Sequence, residues 1–206
     1  TYVVNHVNDV VTESSSSSGG TDLINSYVSY TASNYVENLT LYGSSDIDGV
    51  GNVLANTIRG NSGNNELSGE DGTDNLYGNN GDDTLNGGDG IDNLYGNNDD
   101  DTLNGGNNND NLYGGDGDDT LNGGNDLDTM VGGNGDDTYV VNHINDVVTE
   151  SSSAGGTDLI RSTVSYTASN YVENLTLEGT GRINAIGNNL DNILIGNSNA
   201  NTLTGN

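Results

Sequence analysis

The sequence of 206 residues contains no cysteine and no lysine, and only three arginines stand against 31 acidic side chains. Without cysteine the chain can form neither disulfides nor thiolate metal sites, and it has no cysteine nucleophile. The formal charge of −28 at pH 7 excludes a nucleic-acid binder and a partner for anionic membranes, because both need clustered Lys or Arg.

Apolar side chains are also scarce. Hydrophobic residues make up 30% of the chain and aromatic residues 5%, while glycine occupies 32 positions. Such a composition cannot fill an ordinary globular core, and no apolar run approaches the roughly 18 residues of a membrane span. Proline is missing altogether, which leaves every backbone amide free to join a strand ladder.

The sequence is instead repetitive on two scales. The longer scale is seen at 1–15 and 138–152, which read TYVVNHVNDVVTESS and TYVVNHINDVVTESS, so that copies of one long unit start at Thr1 and Thr138. The serine runs at 14–18 and 151–153 inside these copies predict flexible loops.

The shorter repeat is nine residues long and runs through eight consecutive units from Gly69 to Val140. Its first position is always Gly. Its sixth position is always Asp, namely Asp74, Asp83, Asp92, Asp101, Asp110, Asp119, Asp128 and Asp137. Its eighth position is apolar or aromatic, namely Leu76, Leu85, Leu94, Leu103, Leu112, Leu121, Met130 and Tyr139. Weaker copies at 51–68 and 187–204 have Asn in the sixth position, at Asn56, Asn65, Asn192 and Asn201.

One buried side chain in each nonapeptide predicts a short strand of three residues whose middle residue points inward, since side chains alternate across a strand. The Gly, Asn and Asp residues between strands are turn formers. Two nonapeptides, each a strand and a turn, then close one coil, and stacked coils lie about 4.8 Å apart. The sequence therefore predicts a parallel β-solenoid with two facing columns of Leu.

Stacking also places the sixth-position aspartates in two columns. Carboxylates at that spacing repel each other by roughly 3 kcal/mol per neighbouring pair at an effective dielectric near 20. Summed along a column, this exceeds the stability of about 5–15 kcal/mol that is typical of a small domain. Ca²⁺, which prefers six to eight oxygen ligands, reverses the sign of this interaction, so all eight aspartates are predicted calcium ligands.

The pattern Gly-Gly-x-Gly-x-Asp-x-Leu-x resembles the repeats-in-toxin (RTX) nonapeptide family of secreted bacterial proteins. The match is strong over 69–140 and partial over 51–68 and 187–206. The resemblance implies a right-handed parallel β-roll, an all-β fold, with calcium shared between successive turns on the same side. It also implies an extracellular or cell-surface location. The pattern departs from Gly at second or fourth positions occupied by Glu70, Asn79, Asn97, Asp99, Asn108 and Asp126.

The two scales of repetition divide the chain into segments. We expect a first flank module over 1–50, degenerate repeats over 51–68, the calcium-binding roll over 69–140, and a second flank over 138–186. Residues 187–206 open the next unit. The flanks are expected to form a wider coil of the same solenoid.

Acidic residues outside the sixth position have several possible roles. Asp146, Glu150, Asp158 and Glu173 recur in the first flank, so they either bind calcium, cap turns or face water. The fifth-position Asp82, Asp118 and Asp136 do not recur in every unit and are expected to face water.

The strand residues beside each buried Leu must point outward. Tyr77, Tyr95 and Tyr113 recur in every second nonapeptide and so share one face, either as a surface for protein or carbohydrate contact or as a self-stacked ladder that stiffens the sheet. The opposite face repeats Thr84, Thr102 and Thr120, which either order water or ice or simply suit a β surface.

No catalytic motif is present, and the sequence predicts no enzyme activity. The first hypothesis is a structural segment of an extracellular fibre or adhesin, built from tandem units that associate head-to-tail into filaments. The alternatives are the calcium-binding tail of a secreted enzyme and a carbohydrate- or ice-binding module. In each case the chain is expected to fold outside the cell, when it meets calcium.

Overall fold

The computed structural model describes residues 1–13, 20–150 and 155–206. The two serine runs that the sequence predicts to be flexible lie outside the described residues. In chain order the strands are β1 (Tyr2–Val4), β2 (Leu23–Ser26), β3 (Tyr30–Thr31), β4 (Asn38–Leu41), β5 (Gly49–Val50), β6 (Thr57–Arg59), β7 (Glu66–Gly72), β8 (Asn75–Asn79), β9 (Thr84–Gly90), β10 (Asn93–Asn98), β11 (Thr102–Asn107), β12 (Asn111–Asp116), β13 (Thr120–Gly124), β14 (Thr129–Asn134), β15 (Thr138–Val141), β16 (Val147–Thr149), β17 (Leu159–Ser162), β18 (Tyr166–Thr167), β19 (Asn174–Leu177), β20 (Ala185–Ile186), β21 (Ile193–Ile195) and β22 (Leu203–Thr204).

These strands form an all-β solenoid of about 11 turns, as the sequence predicted. Nine strands form one sheet, in the order β1-β2-β4-β6-β8-β10-β12-β14-β16. Ten form a facing sheet, in the order β21-β19-β17-β15-β13-β11-β9-β7-β5-β3, and β18, β20 and β22 form a third. Paired strands are parallel, and within the repeats each residue pairs with its copy two nonapeptides away. No helix long and apolar enough to cross a membrane occurs in the part of the chain that the structure describes.

The interior of the solenoid contains the two predicted columns of apolar side chains. Leu76, Leu94, Leu112 and Met130 pair in register on one sheet, and Leu67, Leu85, Leu103, Leu121 and Tyr139 on the other. All of them are fully buried. One large side chain per strand therefore suffices for a core, because the two sheets lie on either side of it.

The strands of the repeats are longer than the sequence predicted. β7 and β9 have seven residues each. The inward alternation runs from Asp83 through Leu85 to Gly87, all buried, so the ladder continues past the leucine. A Cβ on Gly87 would lie 2.5 Å from both Asp92 Oδ2 and the Gly105 carbonyl oxygen, which explains why glycine recurs at the first position.

The flanks continue the same two sheets with coils of unequal length. Ladder bonds span 21 residues where Tyr139 pairs with Ile160, and 15 residues in the next coil, where Ile160 pairs with Leu175. In the second flank, the first coil is thus wider than the coil of two nonapeptides, as expected, whereas the next coil is narrower. Because the strand ladders pass without a break from the roll into the flank, roll and flank form one stack.

Candidate metal-binding columns

The sixth-position aspartates form two columns, one at each edge where the chain passes between the facing sheets. In both, the backbone N–H of one aspartate donates to Oδ1 of the aspartate in the next coil, at 2.7 to 2.9 Å. The first column contains Asp74, Asp92, Asp110 and Asp128, and the second contains Asp83, Asp101, Asp119 and Asp137. The structure thus brings together all eight residues that the sequence singled out.

The aspartates point into the solenoid and are at most 2% exposed. While Oδ1 is bonded, Oδ2 of every one of the eight is buried and has no hydrogen-bond donor. Burying a polar atom without a partner is costly, and burying a charge is costlier. Eight such oxygens in two regular columns therefore mark positions that are complete only with a cation.

The pKa values of these carboxyls reflect the same environment. Burial raises the pKa of Asp101 and Asp137 to about 8, although the backbone N–H bond to each opposes the rise. Burial also raises the pKa of Asp74, Asp83, Asp110 and Asp119 to about 7, that of Asp128 to about 6, and that of Asp92 above its ordinary value. At neutral pH, full ionisation of the columns therefore requires compensating positive charge.

The backbone that follows each first-position glycine has the same shape in every unit. The second and fourth positions of all eight units have positive φ, whether or not glycine occupies them. Among the six departures from Gly, φ ranges from 74° at Asp99 to 87° at Asn79. Five of these six are Asn or Asp, the residues that tolerate the left-handed region best after Gly. The turn geometry is thus retained where the motif departs from its pattern.

An asparagine side chain at the sixth position finds its hydrogen-bond partners within the protein and needs no cation. Asn65 keeps the column bond, because its N–H donates to Asp83 Oδ1 at 2.6 Å. Its own side-chain amide donates to the Ile47 carbonyl at 2.6 Å. Asn56 likewise donates to the Val36 carbonyl at 3.2 Å. The amide group supplies the donor that a carboxylate lacks, so these positions do not call for a metal ion.

Flank carboxylates extend both columns, and sequence reasoning left this role open among others. Asp128 N–H donates to Asp146 Oδ1 at 3.2 Å, and Asp137 N–H donates to Asp158 Oδ1 at 2.9 Å. Asp158 N–H in turn donates to Glu173 Oε2 at 2.9 Å. Asp146 also caps a turn, because its Oδ2 accepts from the N–H groups of residues 142 and 143. The recurrence of these residues in both flank copies was the only signal for them in the sequence.

The fifth-position aspartates are exposed, as expected, and the fold sorts them in a way that the sequence did not reveal. Asp82, Asp100, Asp118 and Asp136 all lie along the edge of the second column. The equivalent positions along the first column are Thr73, Ile91, Asn109 and Leu127. Because each coil contains two nonapeptides, alternate nonapeptides belong to opposite edges, and only one edge has a row of fifth-position aspartates.

Outside the core, the predicted tyrosine ladder is stacked. The rings of Tyr77, Tyr95 and Tyr113 lie 4.9 Å apart between neighbours, with planes inclined by 5°. The Arg59 guanidinium lies 4.1 Å from the Tyr77 ring centre and so extends the stack. This geometry shows self-stacking, while the contact role of these three tyrosines stays a prediction.

Taken together, the fold and these columns define a parallel β-solenoid with regularly spaced internal carboxylates. The family model described as RTX calcium-binding nonapeptide repeat (4 copies) matches residues 50–85, 77–112 and 104–139. Residues 50–139 therefore match the RTX family of calcium-binding repeats, which confirms the resemblance drawn from the sequence. No curated protein and no solved structure matches the chain.

The residues present fit the cation that the family implies. Calcium prefers oxygen ligands and accepts flexible geometry. Oδ2 of each sixth-position aspartate offers such a ligand in a buried position where no N–H or O–H competes for it. The repeat segment is therefore a structural calcium-binding module, and the eight aspartates are the side chains that we propose hold the metal.

Proposed function

We propose that the chain is a calcium-stabilised structural segment of a secreted bacterial extracellular fibre or adhesin, and that it folds when it meets calcium outside the cell. The observation that carries this proposal is the set of eight buried Oδ2 atoms without hydrogen-bond donors. An interior of this kind is unfavourable without bound cations and favourable with them.

The folding step follows from charge. With 31 acidic residues and three arginines, the metal-free chain repels itself and stays expanded at neutral pH. Calcium binds the folded columns and not the expanded chain, so its binding free energy stabilises the fold. A low calcium concentration inside the cell and a high one outside would thus keep the chain unfolded for export and fold it afterwards.

Continuity of the stack supports a fibre. The strand ladders join the first flank, the roll and the second flank without a break among the described residues. The flank sequence that starts at Thr1 starts again at Thr138, so each further unit can stack on the last in the same orientation. Head-to-tail contacts form a closed ring only if each contact rotates one copy relative to the next by an angle that closes the ring. Contacts that do not close in this way produce filaments.

A calcium titration followed by far-UV circular dichroism tests the folding claim. We expect the strand signal to appear cooperatively with calcium, to disappear with a chelator, and to need far more magnesium, which demands stricter octahedral geometry. A strand signal that is unchanged by the chelator at neutral pH would refute calcium-dependent folding.

Negative-stain electron microscopy of the full-length parent protein tests the fibre claim separately. Rods or filaments that form in millimolar calcium and disperse in chelator are expected. Dispersed particles in calcium, from a protein that has folded by circular dichroism, would contradict the fibre role and leave the calcium-binding role standing.

A further inference from the structure

A second arrangement of carboxylates lies where the roll meets the second flank. Asp137, the last sixth-position aspartate, is joined there by Glu150 and Asp158, and each offers an oxygen within 4.8 Å of the others. All three side chains are buried, at 1%, 6% and 1% exposure. Neither Glu150 nor Asp158 belongs to a nonapeptide unit, so this arrangement differs in composition from the column sites.

An independent observation shows that this cluster needs a ligand. Asp137 Oδ2 is buried and has no hydrogen-bond donor, while Asp137 N–H donates to Asp158 Oδ1 at 2.9 Å. Three buried carboxylates in one place are strongly unfavourable unless they are protonated or share a cation. Burial, followed by the interaction with neighbouring carboxylates that include Glu150 and Asp158, raises the pKa of Asp137 to about 8.

The position of Glu150 depends on a departure from the repeat. The eighth position of the last unit is Tyr139, whereas the earlier units have Leu or Met there. Its hydroxyl group accepts from Gly132 N–H at 2.8 Å and donates to Glu150 Oε1 inside the solenoid. Tyrosine at this position thus anchors a flank carboxylate within the core, where leucine could not.

We propose that Asp137, Glu150 and Asp158 form a divalent-cation site of calcium type at the junction of roll and flank, which shares Asp137 with the second column and takes its other carboxylates from the flank. This inference rests on the proposed calcium-dependent function. The site links the last roll coil to the first two flank strands, β16 and β17, because Glu150 directly follows β16 and Asp158 directly precedes β17. Metal bound there joins the flank to the roll, and the site would recur once in each long unit.

The first flank provides a matched control within the same chain. Tyr2 donates to Glu13, as Tyr139 donates to Glu150, and Asp22 takes the place of Asp158. Glu13 and Asp22 are, however, only partly buried, whereas Glu150 and Asp158 are buried. The carboxylates of the first copy therefore have a smaller desolvation cost, and they depend less on a bound cation than those of the second copy.

Calcium stoichiometry of the variants Glu150→Gln and Glu13→Gln is the direct test. Equilibrium dialysis should find one bound calcium fewer per chain in Glu150→Gln than in the unchanged protein, and no loss in Glu13→Gln. Thermal unfolding in calcium should likewise shift for the first variant only. Equal stoichiometry in all three proteins overturns the junction site.

Crystals of the unchanged chain grown with terbium, a calcium substitute with strong anomalous scattering, avoid any dependence on variant folding. An anomalous peak bounded by Asp137, Glu150 and Asp158 supports the site. Peaks along the aspartate columns without one at the junction refute this inference alone. Failure of terbium and calcium to bind anywhere contradicts the proposed function as well.

Discussion

At the scale of the residue, each sixth-position aspartate has one carboxylate oxygen that accepts a hydrogen bond and one that has no donor. Oδ1 fixes the side chain by accepting the N–H of the preceding coil, and Oδ2 remains buried without a donor. At Asn56 and Asn65 both side-chain polar groups have partners, because the amide nitrogen donates to a carbonyl of the preceding coil and the oxygen accepts an N–H four residues earlier. The difference between Asp and Asn at this position therefore separates metal binding from hydrogen bonding alone.

The substitution Asp101→Asn tests this distinction. Asparagine has one side-chain oxygen where aspartate has two, so it cannot both accept the Asp83 N–H and offer the metal an oxygen. We expect the calcium concentration at the folding midpoint to rise by roughly tenfold, equivalent to about 1.4 kcal/mol. Circular dichroism during a calcium titration measures it.

The neighbouring substitution Asp100→Asn is the matched control. Asp100 is exposed, and its Oδ1 accepts the Asp118 N–H in the same way. Its removal lowers the charge equally, so a midpoint shift of the same size in both variants would show that net charge, rather than the column, controls folding. We expect less than about 0.5 kcal/mol for Asp100→Asn, as for most surface changes.

Backbone strain at Glu70 offers a second prediction. Glu70 directly follows the first Gly of its unit and has φ of 76°, and an L-residue costs roughly 1–2 kcal/mol in that region. Replacement by Gly should therefore raise stability by about 1 kcal/mol, less the loss of a weak bond from Ser68 at 3.2 Å. Chemical denaturation in saturating calcium measures this.

The control is the same substitution four residues earlier, Glu66→Gly. Glu66 is also exposed and lies in the same strand, β7, but its φ is not positive, so glycine there costs roughly 0.5–1 kcal/mol relative to alanine. The two variants change charge identically and should have opposite effects on stability. If both substitutions stabilised the protein, the loss of a negative charge would explain the effect.

At the scale of the element, the repeats produce ladders as well as columns. Each outward residue faces its own copy in the next coil, so tyrosine stacks on tyrosine and Asn111 Nδ2 donates to Asn93 Oδ1 at 3.1 Å. Identical neighbours at strand spacing suit stacking and amide chains, and they stiffen the sheet along the solenoid axis.

Tyr95 lies in the middle of the tyrosine ladder and contributes to two stacked pairs. Tyr95→Ala should lower stability by about 1–3 kcal/mol, because each aromatic pair contributes roughly 0.5–1.5 kcal/mol. Tyr95→Phe retains both stacks and should be close to neutral. Thermal unfolding of both variants in calcium distinguishes stacking from a role of the hydroxyl group, since a loss in both would implicate the hydroxyl.

At the scale of the whole molecule, protonation of the column aspartates at low pH should provide part of the stabilisation that calcium provides at neutral pH. The unfolded chain releases its aspartate protons near pH 3.9, whereas burial raises the pKa of seven of the eight column aspartates to about 6 to 8 in the folded state. The folded state therefore binds more protons between about pH 4 and pH 8, so the stability of the metal-free chain falls as pH rises through that range.

We accordingly expect the chain in chelator to gain strand signal as the pH is lowered from 8 towards 4. In the presence of calcium, protons compete for the ligand oxygens, so half-saturation of the metal sites should need more calcium at pH 5 than at pH 8. A metal-free chain that gains no strand signal on acidification would show that the carboxylates are not the main obstacle to folding.

The sequence by itself determined the coil. The fixed positions of Gly, Asp and Leu within each nonapeptide are sufficient to predict the length of a coil, the buried leucines, the two aspartate columns and the family. This is possible because side-chain alternation and strand spacing are local properties of the backbone. These are the features that depend on short-range geometry repeated many times.

Only the tertiary structure decided which residues of different segments meet. It turned Oδ2 of each sixth-position aspartate towards a first-position glycine, lengthened the strands, and brought Glu150 through Tyr139 to Asp137. These features depend on the number of residues in each coil and on the irregular flank coils of 21 and 15 residues. Contacts across coils of unequal length follow from how the whole stack closes, and no nonapeptide pattern contains that information.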